Sequence, residues 1–142
     1  MSQFTFAMLK SGALVRHDHE VLMNMLHQRG YKIMVASITV LAPSKIELFY
    51  SNHVGKPYWP DLRDSVGGLV LPMLLYLPGK DAIVQLRADM GPTDPKKAPL
   101  STLRGILGNK AGPMADNGIH GSDSEEAFHR EIGIIWPKGC RQ

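Results

Sequence analysis

The chain predicts an α+β fold: an antiparallel sheet with helices on one face, extra short helices forming a hairpin, and one long loop. Three observations predict it. Stretches of strand character alternate with stretches of helical period. Their order is β-α-β-β-α-β. The composition, 142 residues of which 44% are hydrophobic and 20% charged, suits one compact domain with a real core.

The elements follow in chain order. Phe4–Leu9 is a short apolar run, rich in Phe and bounded by Lys10-Ser11-Gly12, and reads as a strand. Residues 17–29 place Val21, Leu22, Met25 and Leu26 on one helical face, and Gly30 stands where a C-terminal cap belongs. Residues 31–41 alternate and are β-branched, which predicts a second strand. Residues 43–50 predict a short helix with Pro43 in its first turn, and residues 58–66 another. Residues 68–76 predict a third strand, in which Pro72 calls for a bulge or an edge position. Residues 80–90 carry Ala82, Ile83, Leu86 and Met90 at helical spacing. From 91 to 117 periodicity stops: Pro92, Pro95, Pro99 and Pro113 fall here with Gly105, Gly108 and Gly112. A loop of that length is more often functional than idle. Gly118-Ile119-His120 reads as a short strand, residues 123–133 as a closing helix, and 134–142 as a tail ending in polar residues. This is the ferredoxin-like order.

Composition narrows the function. Net charge is +3 and pI about 9.1, mild values that suit a small anion as well as a polyanion. The longest apolar run, 67–77, is broken by Pro72 and too short to span a bilayer, and no secretory signal is visible. Cys140 is the only cysteine, so no intrachain disulfide can form and a cytoplasmic setting is expected. No glycine-rich phosphate loop with its Lys-Ser/Thr occurs. His17-Asp18-His19 reads as solvated rather than metal-binding.

The most informative segment is Asn117-Gly118-Ile119-His120-Gly121-Ser122-Asp123-Ser124. Ser122 with Glu125 three residues on fits a capping box, so a helix should begin there. Its unpaired N–H groups would set a phosphate site beside the His120 imidazole. Histidine is nucleophilic when neutral, and its phosphorylated form is a labile species suited to passing the group on. By spacing alone His120 better suits a buried, hydrogen-bonded histidine next to a helix cap.

That octapeptide resembles the active-site signature of the nucleoside diphosphate kinases. The likeness runs from about residue 4 to 136, through Thr5-Phe6-Ala7-Met8-Leu9-Lys10, Phe49-Tyr50, Gly55-Lys56-Pro57-Tyr58-Trp59, Arg87, Met90-Gly91-Pro92-Thr93-Asp94-Pro95, Ser101-Thr102-Leu103-Arg104-Gly105 and Glu131-Ile132-Gly133-Ile134-Ile135-Trp136. The resemblance implies a catalytic set of His120, Lys10, Glu131, Tyr50 and Ser122. His120 takes the γ-phosphoryl group, Glu131 fixes its tautomer, Lys10 places positive charge on the group and Tyr50 hydrogen-bonds near it. It implies a nucleotide set of Lys10, Tyr58, Leu62, Arg87, Thr93, Arg104 and Asn117. Tyr58 stacks on the base above Leu62, Arg87 and Arg104 hold phosphates, Thr93 donates to one, and Asn117 bonds the ribose. The expected reaction is ping-pong transfer from a nucleoside triphosphate to a nucleoside diphosphate. Mg²⁺ arrives on the phosphates without direct protein ligands. A homo-oligomer, hexamer or tetramer, is expected, with no membrane and no nucleic acid as partner. The competing expectation, from a different class, is a nucleotide- or nucleic-acid-binding module of this fold without turnover.

Two segments depart from the family. Lys10 is followed by Ser11-Gly12 where Pro-Asp is usual, which predicts a looser turn. Arg104-Gly105 is followed by Ile106 where an aspartate is usual, and 106–116 is longer than usual, which predicts a reshaped wall beside Arg104.

Overall fold

The computed structural model of the chain describes residues 1–139. Cys140 and the end of the expected polar tail lie outside them. The elements are β1 (Phe4–Leu9), α1 (Ser11–Val15), α2 (His19–Gln28), β2 (Lys32–Ala36), β3 (Thr39–Val40), α3 (Pro43–Phe49), α4 (Trp59–Ser65), β4 (Leu69–Tyr76), α5 (Ala82–Met90), α6 (Leu103–Leu107), β5 (Ile119–Gly121) and α7 (Glu125–Ile135), with a 3₁₀ turn at Pro95–Lys97. The strands pair antiparallel in the order β2-β4-β1-β5, and β3 adds to β4. That is the expected ferredoxin-like sheet.

β1 is buried from its second residue onward, and its side chains alternate between two cores. Ala7 and Leu9 join Leu71, Met73 and Leu75 of β4 against Leu22 and Leu26 of α2, Leu86 and Met90 of α5, and Leu103 and Leu107 of α6. Phe6 and Met8 join Val70 against Ile46 and Phe49 of α3, Trp59 and Leu62 of α4, and Phe128 and Ile135 of α7. Helices therefore cover both faces of the sheet, where one face was expected. A central strand apolar on both sides needs cover on both, and each large side chain buried contributes about 1.5–3 kcal/mol.

Four local expectations are corrected. The helix expected over 17–29 is present as α2, but it starts only at His19: an unexpected short helix, α1, precedes it, and His17, at φ 64°, breaks the chain between the two. The second strand divides into β2 and β3. Pro72 is neither at an edge nor at a bulge of its own strand. It pairs with Met8 in an inner strand, and the bulge lies in β2 between Ile33 and Val35. The ladder on the other side of β4 is interrupted opposite it, between Ala36↔Met73 and Thr39↔Val70, which is where a residue without an N–H is tolerated. Finally, the segment 91–117 is structured: Asp94 caps the 3₁₀ turn, and Thr102 accepts from Gly105 N to cap α6.

Candidate active site

The two cores leave a cleft of about 620 Å³ where the C-terminal end of β1, β5 and the N-terminal half of α7 meet the α3–α4 hairpin and the 91–117 segment. Lys10, Tyr50, Tyr58, Leu62, Arg87, Thr93, Arg104, Asn117, His120 and Glu131 all line it. These positions span most of the chain, and the fold brings every one of them together. Ser122 is fully buried and reaches the cleft through Glu131.

His120 sits in the middle of β5, opposite Met8 of β1. Gly118, at φ +86°, turns the chain into that strand; a Cβ there would meet Leu107 backbone at 2.8 Å. The imidazole Nε2 lies 2.9 Å from Glu131 Oε1, and the Ser122 hydroxyl donates to the same oxygen at 2.6 Å. Arg130 Nη2 stands 3.8 Å from Glu131 Oε2 and its Nη1 donates to the Phe49 carbonyl at 3.0 Å, tying α7 to α3. Burial opposes charge on Glu131. The hydrogen bond and charge of His120, the Ser122 hydroxyl and Arg130 outweigh it and hold the carboxyl below its ordinary pKa. An ionised carboxylate at Nε2 keeps that nitrogen protonated and leaves Nδ1 with its lone pair free. The rings of Phe49 and Tyr50 meet His120 edge-on, with centroids 5.0 and 5.8 Å away.

The expected Ser122 cap is not what the structure holds. Ser124 caps α7, accepting from Ala127 N at 3.0 Å. A buried carboxylate is the stronger acceptor for the Ser122 hydroxyl, and Ser124 has the extended backbone a cap requires. The first turn of α7 also carries Glu125 and Glu126, which already answer the helix dipole. Positive charge in the cleft comes instead from side chains.

Lys10 is the chief of these. Its ammonium is buried and donates to the Ala115 carbonyl at 2.9 Å. Burial, then the Arg104 charge, lower its pKa to about 7 against a partial lift from Asp116. Arg104 donates from Nε and Nη2 to the Ile119 carbonyl, at 3.3 and 3.1 Å, and from Nη1 to the Gly91 carbonyl at 3.4 Å. Burial and the Arg87 charge bring its pKa down to about 10, so it stays charged at neutral pH. Arg87 Nη1 donates to the Gly121 carbonyl at 3.4 Å. The turn after Lys10 is not loose: Ser11 opens α1, and its hydroxyl accepts from Gly68 N at 3.1 Å.

Two buried polar atoms of the cleft residues have no hydrogen-bond partner among the described residues: the Tyr50 hydroxyl and Asn117 Oδ1. Asn117 spends its Nδ2 on the Thr93 carbonyl at 3.0 Å. Burial and the Glu131 charge raise the Tyr50 pKa, so its hydroxyl is a permanent donor. Orphaned polar atoms in a cation-lined cleft fit a ligand rich in oxygens. At the mouth, Tyr58 is about half exposed, and its hydroxyl lies 2.6 Å from His53 Nδ1. His53 and Arg130 were missed by the sequence reading. Neither belongs to a periodic pattern, and only closure of the hairpin onto α7 brings them to the cleft. Among the described residues no three His, Cys, Asp or Glu side chains come together to hold a metal, and no helix is long and apolar enough to cross a membrane.

A histidine–carboxylate pair facing three cations, on a ferredoxin-like sheet, defines a phosphotransferase of the α+β class. Comparison with known proteins makes this particular. Residues 3–139 match the family model of nucleoside diphosphate kinase. The nucleoside diphosphate kinase of Bdellovibrio bacteriovorus is 37% identical over 135 residues, covering 94% of this chain and 92% of that one. That of Hydrogenovibrio crunogenus is 35% identical over 137 residues, covering 96% and 94%. The Aquifex aeolicus nucleoside diphosphate kinase structure superposes with a TM-score of 0.84 at 28% identity, over 94% of each chain. The Halobacterium salinarum structure, in complex with CDP, gives 0.85 at 30% identity over 96% of this chain and 88% of that one. The chain belongs to the nucleoside diphosphate kinase family. Family membership favours the enzyme over a binding module without turnover.

Proposed function

We propose that this chain, folding as one domain over its 142 residues, transfers the γ-phosphoryl group of a nucleoside triphosphate to a nucleoside diphosphate through phosphorylated His120. The observation that carries the reading is the 2.9 Å contact of Glu131 with His120 Nε2, which dedicates Nδ1 to the cleft.

In the first half-reaction the Nδ1 lone pair attacks the γ-phosphorus. An N–P bond forms, the bond from that phosphorus to the bridging oxygen breaks, and the diphosphate leaves with the bond's electron pair. Nε2 keeps its proton, and the positive charge gained by the ring is balanced by Glu131. In the second half-reaction a terminal oxygen of another diphosphate attacks the same phosphorus and the N–P bond breaks. Little covalent work is asked of the protein, so the task is positioning and charge neutralisation. Lys10, Arg87 and Arg104 neutralise the phosphates, Arg104 being held by the carbonyls of Gly91 and Ile119. The Tyr50 hydroxyl donates to the group in transit, Thr93 donates to a phosphate oxygen, and Asn117 Oδ1 accepts from a ribose hydroxyl. Tyr58 stacks on the base over Leu62, a contact tolerant of base identity. The divalent ion is Mg²⁺ carried on the nucleotide phosphates, where it supplies further charge neutralisation. A homo-oligomer working in the cytoplasm completes the proposal.

The test is direct. Incubated with ATP alone and weighed intact, the protein gains one phosphoryl group that acid removes and base spares. His120→Ala gains none, and wild type then passes the group to added GDP. An unmodified wild type overturns the reading.

A further inference from the structure

Beneath the cleft the segment 109–116 closes on itself and on α1. Asp116 O accepts from Asn109 N at 2.8 Å, Asp116 Oδ2 accepts from Asn109 Nδ2 at 3.1 Å, and Asp116 N donates to the Pro113 carbonyl at 3.0 Å. The Asp116 carboxylate is seated in a notch against Gly12: a Cβ there would lie 2.6 Å from Asp116 Oδ1, so a side chain at residue 12 would push the carboxylate aside. Arg16, which closes the end of α1, reaches the same carboxylate, Nη1 to Oδ2 3.9 Å, and donates from Nη2 to the Leu107 carbonyl at 2.7 Å. The residue before Asp116 is Ala115, whose carbonyl takes the Lys10 ammonium. The Lys10 backbone is tied to the residue just beyond Asn117, donating to the Gly118 carbonyl at 2.8 Å. So the two departures noted in the sequence, Gly12 and the long 106–116 segment, meet at one point and fit each other.

The geometry points to Asp116 as a positioning residue for phosphoryl transfer: seated against Gly12, it sets the height of the Ala115 carbonyl that takes the Lys10 ammonium, and its charge offsets part of the cost of burying that ammonium. This rests on the reading of His120 above. Charged and titratable groups face the pair from every side: Arg16 just after α1, Asp61 and Asp64 of α4 at the notch, Tyr50 and His53 after α3, Arg87 on α5, Arg104 on α6, His120 on β5, Asp123 before α7, and Glu126, Arg130 and Glu131 on α7. Of these, Arg104 works against the ammonium, and Asp116 is the acid that works for it.

The experiment measures the apparent second-order rate of His120 phosphorylation by ATP against pH, for wild type, Asp116→Asn and Gly12→Ala. Wild type loses rate on the alkaline side of about pH 7 as Lys10 deprotonates. Asp116→Asn keeps the shape and removes the charge, and its alkaline limb moves acid-ward. Gly12→Ala keeps the charge but expels it from the notch, and its limb moves the same way. A loss of rate in both variants with the limb unmoved shows a purely structural role and overturns the inference, as does wild-type behaviour in either variant. Failure of the His120 reading is recognised separately, because wild type itself then takes up no phosphate. Calorimetry of each variant confirms that the folded protein is being compared.

Discussion

Replacing Tyr50 with phenylalanine separates a site from a core. The Tyr50 ring packs at 4.8 Å against Phe49, 5.8 Å against His120 and 6.5 Å against Trp59, and phenylalanine keeps all three contacts. Only the hydroxyl is lost, and that hydroxyl is buried without a partner among the described residues. A buried unpaired hydroxyl costs about 1–3 kcal/mol of stability, so Tyr50→Phe returns on the order of 1 kcal/mol. For a chain of this size that raises Tm by about 3 °C. The transition state loses a donor to the phosphoryl group, worth about 1.4–2.7 kcal/mol, so phosphorylation slows roughly 10–100-fold. Calorimetry gives the first number and rapid-quench measurement of phospho-His120 the second. A variant that is less stable than wild type has lost an unseen partner of the hydroxyl, and one that phosphorylates at full rate never used it. Either result refutes the reasoning.

Other perturbations have equally definite outcomes. Glu131→Gln keeps the acceptor for Ser122 and His120 but removes the charge that balances the imidazolium, so phosphorylation falls about tenfold, roughly 1.4 kcal/mol; an unchanged rate would mean that the 2.9 Å contact is only structural. Lys10 carries a folded pKa of about 7 against an ordinary 10.5, so between those values the unfolded chain binds more protons than the folded one. Its contribution to stability therefore rises with pH through that window. The Tm of wild type relative to Lys10→Met should climb from pH 7 to 9, and a flat difference would mean that the ammonium is not desolvated. Gly118→Ala forces a side chain to φ +86° and into Leu107, at a cost of about 2 kcal/mol or more, seen as a fall in Tm together with slower phosphorylation of His120.

Periodicity and apolar content carried the secondary structure well in the longer elements. α5 and β4 fall within two residues of their expected bounds. It failed where local geometry outranked pattern. α1 is only five residues long and too short to show a period. The 91–117 segment hid α6, because its helix is capped by Thr102 and flanked by proline rather than marked by an apolar stripe. The capping box at Ser122 failed for another reason. Two serines, 122 and 124, were available, and the choice between them was made by Glu131, nine residues away from Ser122 along the chain.

What the sequence carried by itself was the order of the main elements and the likeness of the stretch around His120 to the family's signature. Both are written locally, in the spacing of apolar residues and in one octapeptide. What only the tertiary structure decided was which atoms meet. Lys10 finds its acceptor 105 residues away on Ala115, Glu131 chooses Nε2 rather than Nδ1, Asp116 fills the space that Gly12 leaves, and helices close both faces of β1. These depend on chain closure, since a hydrogen bond is satisfied by whichever group the packing of distant elements brings within about 3 Å.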